Sequence, residues 1–289
     1  SSVLGWVGDI MNPPKSSSGG FLNGIILMNT ATASIDDLAF VKAGNDIVVK
    51  AYAATDAVNI VTPGSYASKT AVDGAVAFNW VITRTLASIQ DRAVVEAGHD
   101  LTVDAQTDTT SLALAPAIAI GGQYGVGVGV AVNLVFDDTM AFIGDRKDPV
   151  PLASYGEGVF RGSVTVGNDL TIHARSTPEI WTVGASAGIA PGGSNTDNGS
   201  SKNGPSTTPP VEGANGTGGQ KFGFGFSGSI AFNWIDQDIW AFIDDGVTVT
   251  VAGDLKVEAT GHYDDTSPQA ADRDPLFVAV AGGGLGGAG

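Results

Sequence analysis

The chain has 289 residues, of which only 15% are charged, and its 14 basic against 30 acidic side chains leave a net charge of −16. An acid-rich surface repels phosphate backbones and anionic lipid surfaces, so no nucleic-acid partner is expected. Cysteine is absent, which removes disulfides and thiolate metal centres, and 41 glycines among many β-branched and aromatic residues favour strands and turns over helices.

In chain order, the opening SSVLGWVGDI lacks the basic start and apolar run of a signal peptide. A cysteine-free chain suits a reducing cytosol and a bacterial exterior equally well. At 30 to 51 the chain reads TATASIDDLAFVKAGNDIVVKA. The same pattern returns as TLASIQDRAVVEAGHDLTVDAQ at 85 to 106, as TMAFIGD at 139 to 145 continued by VTVGNDLTIHA at 164 to 174, and as IWAFIDDGVTVTVAGDLKVEA at 239 to 259. Asp37 and Asp46, Asp91 and Asp100, and Asp245 and Asp254 are each nine residues apart, while Asp145 and Asp169 are 24 apart. A second motif precedes the last three copies: AFNWV at 77 to 81, AVNLV at 131 to 135 and AFNWI at 231 to 235, with Ile25 in place of its Asn in the first copy.

The full period is 54 residues, and two loops lengthen the later ones: 146 to 163, and the Gly/Ser/Pro/Asn tract at 191 to 220, which has too little apolar content to pack and reads as poorly ordered. Residues 112 to 136, LALAPAIAIGGQYGVGVGVAVNLVF, carry no charge over 25 residues, the length of a membrane helix. Their period of two and their Gly and Val content read as strands, so no membrane insertion is expected. At 222 to 235 the even positions carry Phe222, Phe224, Phe226, Ile230, Phe232 and Trp234, and the odd ones Gly223, Gly225, Ser227, Ser229, Ala231 and Asn233. The chain ends within a strand-like pattern, LFVAVAGGGLGGAG, and its abrupt ends predict one continuous unit, 1 to 289, cut from a longer protein.

Each period holds about six short strand signals separated by Gly, Asp or Asn. Such a unit cannot bury its apolar face alone, whereas stacked copies can. The expected fold is therefore all-β: a parallel β-helix, or β-solenoid, of right-handed sense. With three strands per coil, each repeat predicts about two coils, and the whole chain roughly nine to eleven in a rod on the order of 45 to 50 Å long.

The runs GVGVGVAVNLVFDDTMAFIGD and AFIDDGVTVTVAGDLKVEAT resemble repeats of very large secreted adhesins of Gram-negative bacteria, the filamentous haemagglutinin and leukotoxin-like filamentous adhesin group. The resemblance covers most of positions 21 to 260. It implies an extracellular or cell-surface β-solenoid stalk and supplies no catalytic residue.

The internal copies weigh each polar residue. Asp104 is matched by Lys50, His173 and Glu258, which reads as a solvated outer wall. His99 is matched by Asn45, Asn168 and Gly253, the residues of a turn needing unusual φ. Asp46, Asp100, Asp169 and Asp254 keep their identity, as do Asp37, Asp91, Asp145 and Asp245, and both sets read as corner residues bonded to local backbone N–H groups. Gly-Asn-Asp followed by Leu or Ile also resembles half of the nonapeptide that binds calcium in secreted β-rolls, making Asp46, Asp100, Asp169 and Asp254 the calcium candidates. Against calcium, a spacing of two coils separates equivalent carboxylates by roughly 9 to 10 Å, too far for one ion. No other cofactor is expected.

A catalytic site needs a local, non-repeating cluster of acids, and the acids here recur at corners, so no enzyme is expected. Bulky residues at 222 to 235 are expected to fill the core, leaving Gly223, Gly225, Ser227, Ser229, Ala231 and Asn233 as a flat outer face. That face would pack against the chain's own loops or associate laterally with another solenoid; the inverse orientation would expose the aromatic stripe and strengthen the case for a partner. The sequence reading is thus a non-enzymatic stalk whose partners are other solenoid copies, cell-surface molecules or glycans. The alternative is a β-helix that binds or cleaves carbohydrate.

Overall fold

A computed structural model describes residues 14 to 145, 162 to 191, 223 to 244, 247 to 261 and 277 to 287, the last without side chains. Every regular element among them is a strand: β1 (Ser16–Ile35), β2 (Phe40–Ala43), β3 (Ile47–Ile60), β4 (Gly64–Ala67), β5 (Thr70–Ile89), β6 (Val94–Ala97), β7 (Leu101–Gly121), β8 (Tyr124–Ile143), β9 (Ser163–Val166), β10 (Leu170–Ala190), β11 (Phe224–Ile243), β12 (Thr248–Val251), β13 (Leu255–Thr260) and β14 (Phe277–Gly287). They form three parallel sheets in which spatial neighbours are one repeat apart: β1-β5-β8-β11, β2-β6-β9-β12, and β3-β7-β10-β13, with β4 beside β7 and β14 beside β10. A chain that visits the three sheets in rotation and returns beside its own previous turn is a parallel β-solenoid, as the repeat requires.

The coil is twice as large as the sequence suggested. Thr70 pairs with Ser16 and with Tyr124, so each 54-residue repeat is one coil, not two. A coil has one 20-residue strand, one 4-residue strand and a long return path. At about 3.3 Å per residue a 20-residue strand spans roughly 66 Å, whereas four coils at about 4.8 Å rise only some 15 to 20 Å. The molecule is a wide plate, not a narrow rod of nine to eleven coils. The cause lies in Asp56, Asn59, Asp73 and Gly74, which are of the Gly, Asp and Asn types expected to separate short strands and lie inside long ones. The insertions still fall between strands, but the first is shorter than 146 to 163, because Ser163 already begins β9. Residues 146 to 161 of the first and 192 to 220 of the second lie outside the described residues.

The core changes along the strands. At one end the short second sheet wedges the two long sheets apart, and the wide space takes large side chains: Ile89, Val95, Leu101, Val103, Ile143, Val164, Leu170 and Ile172 are fully or almost fully buried. Toward the opposite end, which we call the tip, the long sheets converge and the buried set shrinks to alanines: Ala75, Ala77, Ala113, Ala115, Ala117 and Ala131, with Val61. Glycine replaces alanine where the backbones are closest. A Cβ on Gly127 would stand 2.7 Å from the carbonyl oxygen of Ala187, and one on Gly125 2.5 Å from that of Ile189.

This convergence inverts the expected faces. Along β8 the Gly, Ala and Asn positions are buried, and Tyr124, Val126, Val128, Val130, Val132 and Leu134 face outward. In β11 the odd positions from Gly225 to Asn233 point into the gap, while Phe224, Phe226, Ile230, Phe232 and Trp234 are exposed. Gly223, just before β11, is buried as well. The association face expected on Gly223, Gly225, Ser227, Ser229, Ala231 and Asn233 is therefore the interior, because only small side chains fit between sheets this close. Phe222 lies outside the described residues.

Candidate functional site

Two corners flank the short sheet. At the second, the aspartates form a ladder between coils: the Asp100 amide donates to Asp46 Oδ1 at 3.1 Å, the Asp169 amide to Asp100 Oδ1 at 3.1 Å, and the Asp254 amide to Asp169 Oδ1 at 2.8 Å. The carboxylates of Asp46, Asp100 and Asp169 thus each bond the backbone of the following coil rather than that of their own turn. The bonds of Asn168 and of the Asp169 amide hold the Asp100 carboxyl below its usual range. Asn45, His99, Asn168 and Gly253 do not need unusual φ; among the described non-glycine residues only Leu38 is left-handed, at 62°.

Because the coils are one repeat apart, the distance argument against an ion weakens. Asp46, His99 and Asp100 each offer a ligand atom within 4.8 Å of the others. His99 Nδ1 lies 3.1 Å from Asp46 Oδ1 and from Asp100 Oδ2. An imidazole with two carboxylates suits a transition ion better than calcium, which takes oxygen ligands. The arrangement belongs to this coil alone, since no other copy has His at that place. The first corner stacks Asp37, Asp91 and Asp145, and Asp245 lies outside the described residues. Hydrogen bonding from Arg92 holds Asp37 low, whereas burial and the neighbouring Asp37 push Asp91 up.

The outer wall near the corners carries further ladders. Lys50 Nζ sits 2.8 Å from Asp104 Oδ2, and His173 Nδ1 3.3 Å from Asp104 Oδ1. Burial pushes the Asp104 carboxyl up, but bonds from His173 and Lys50 outweigh it and hold it low. Lys42 pairs with Glu96, Arg84 with Asp138 at 3.1 Å, and the Tyr52 hydroxyl donates to Asp108 at 2.8 Å. Asp104 stands on the outer wall as expected, but rather than solvated it is half-buried between Lys50 and His173.

Sequence reasoning missed the layer midway between base and tip. The Asn of the AFNWV-type motif points inward and clasps the two long sheets. Asn133 Nδ2 donates to the Trp181 carbonyl at 2.9 Å and to Thr182 Oγ1 at 2.6 Å, and its Oδ1 accepts from Ser111 at 2.9 Å. Asn79 repeats this one coil earlier, with Ser111 Oγ at 3.1 Å and the Leu112 carbonyl at 3.0 Å. The fixed distance of the motif from the following corner was the available signal. Next to this layer lies Asp137, buried and bonded by Thr109 at 3.2 Å and Ser176 at 3.4 Å. With no cation among its partners, burial raises its pKa to about 6.

The outer face of the first sheet is the largest unexplained surface. From the tip to the level of Trp80, Leu134 and Trp234, its outward positions carry no charge on any of the four strands. Phe226, Ile230 and Trp234 are 58%, 60% and 55% exposed. At the border of this apolar stretch lies an open trough of 530 Å³, lined by Met28, Ile82, Arg84, Phe136, Asp138 and Asp236 among others. Comparison with protein-family models, curated proteins and solved structures finds no match.

Proposed function

We propose that this chain is a non-enzymatic spacer segment of a bacterial surface or secreted adhesin, a stack of coils that holds other parts of a longer protein at a distance. The observation that supports it is the continuity of the stack: strand pairing and the aspartate ladder run from coil to coil in register, and the asparagine clasp recurs in successive coils. Such a stack gains stability from neighbouring coils, and its length scales with their number. The polar groups of its corners and outer wall hold one coil to the next, which is the work of a scaffold. The test is excision of one coil, residues 48 to 101, which joins Ile47 to the equivalent strand position. A spacer refolds with the same circular-dichroism signature and a lower melting temperature, and the intact segment binds no glycan on an array.

A second reading has one observation in its favour. Asp138 and Asp236, with Arg84, border the trough beside Phe136. Acids, a guanidinium and an aromatic ring in one groove suit a carbohydrate. Saturable glycan binding that disappears in Asp236→Asn would replace the spacer by this reading.

A further inference from the structure

We propose that the outer face of the first long sheet is a self-association surface, covered by the same face of a second copy of this chain. The inference rests on the shape and chemistry of the face and holds whether or not the chain serves as a spacer.

A soluble monomer rarely exposes a contiguous apolar patch beyond a few hundred Å². Here the outward positions from Phe224 to Trp234 on β11, with their register partners on β8, β5 and β1, span about 33 Å by four strands at about 4.8 Å, or roughly 630 Å² on each copy. Two such faces in contact bury roughly 1,300 Å², within the range of a standard specific interface. Charge points the same way. The chain carries −16 overall, yet the acids of this sheet face begin only at Asp138, Asp236 and Asp238, at the rim of the apolar area. A second copy can therefore meet it without bringing like charges into the buried centre.

The relief of the face selects a second copy over an arbitrary apolar partner. Ile230, Val130 and Val76 form one outward column in register. Two residues toward the tip lies the column Gly228, Val128 and Gly74, and two residues the other way lies Phe232, Val132 and Phe78. The added Cβ of Gly74 or Gly228 would meet nothing within 4 Å, so both glycines are open gaps in the surface. A two-fold axis along the Ile230 column, lying in the plane of contact, places Phe232 of each copy over Gly228 of the other. It likewise sets Phe78 over Gly74, Val132 over Val128 and Trp234 over Phe226. Bulk meets gap on β5 and β11 and medium meets medium on β8, while on β1 Gly20 meets Gly24 and on the edge strand β11 the aromatics Trp234 and Phe226 pair about 13 Å from the axis. This is the reciprocal complementarity that an isologous interface demands, and face-to-face packing at about 10 Å is ordinary for two sheets. Aromatic anchors set in such gaps are the usual energetic centre of an interface.

The test is sedimentation velocity on the intact chain and on three outward variants, with far-UV circular dichroism to confirm retained strand content. The wild type sediments as a dimer. Gly228→Trp fills the gap that receives Phe232 and yields a monomer. Ile230→Lys and Ile230→Glu each place like charges across the axis and yield monomers, while an equimolar mixture of the two returns to a dimer. The proposal is overturned by a wild type that remains monomeric, including one that instead floats with neutral phosphatidylcholine vesicles, which would assign the face to lipid. It is equally overturned by a dimer that survives Gly228→Trp and both charge variants, which would locate the contact elsewhere.

Discussion

The base and the tip of this plate are built from the same strands, in the same register, yet they solve burial in opposite ways. At the base three sheets enclose Leu101, Leu170, Ile172 and Ile143, and the outer wall is charged. At the tip two sheets nearly touch, glycine and alanine fill the gap, and the apolar bulk stands outside. Sheet separation, rather than residue type alone, decides which face of a strand is the core. Between the two regions Asn133, Asn79 and Asp137 fill a gap too wide for alanine and closed to water.

The contrast can be broken most severely at the base. Leu170→Ala removes a fully buried side chain from the widest part of the core and should cost about 3 to 5 kcal/mol, read as a lower denaturation midpoint at unchanged slope. The same loss of bulk at the tip, Ile230→Ala, removes an exposed side chain and should leave the monomer's stability within about 0.5 kcal/mol. Equal costs at the two positions would contradict the inverted tip.

The middle layer gives a pH signature. The folded-state pKa of Asp137 is raised from 3.8 to about 6, so the folded chain holds the proton more tightly than the unfolded one. Its contribution to stability is full below about pH 4 and is lost as pH rises through 6. Asp137→Asn mimics the protonated form and should stabilise the protein at pH 7.5 by up to about 3 kcal/mol, with the gain vanishing toward pH 4. Chemical denaturation of both proteins across that range checks it. Asn133→Ala, which strands Ser111, Thr182 and the Trp181 carbonyl, should cost about 1 to 3 kcal/mol at any pH. The smallest effect is expected at the corners: because the aspartate carboxylates already bond backbone amides, chelator should leave the melting temperature unchanged.

What could be read beforehand follows from what repeats. The nine-residue step from Asp37 to Asp46, from Asp91 to Asp100 and from Asp245 to Asp254 marks corners, and the tolerance of the position of Lys50, Asp104, His173 and Glu258 for either charge marks an outer wall; both features need only internal comparison. Coil size was hidden because Asp73-Gly74 looks like a turn while serving inside β5, where the narrow gap favours small and hydrogen-bonding residues. Face orientation was hidden for the same reason. Alternation separates two faces but does not name the inner one, and a rule that places bulk inside fails where two backbones approach within the reach of a single Cβ.

Each 54-residue repeat forms a single coil. The chain contains no cysteine, so a designed pair reports distance directly. Val48 and Thr102 are register partners on β3 and β7. Adjacent strands place their Cα atoms about 4.8 Å apart, inside the range a disulfide spans. Val48→Cys combined with Thr102→Cys should therefore close to an intramolecular disulfide under mild oxidation, seen as a linked peptide by mass spectrometry. Free thiols under the same conditions would mean that an intervening coil separates the pair, and the account would fail.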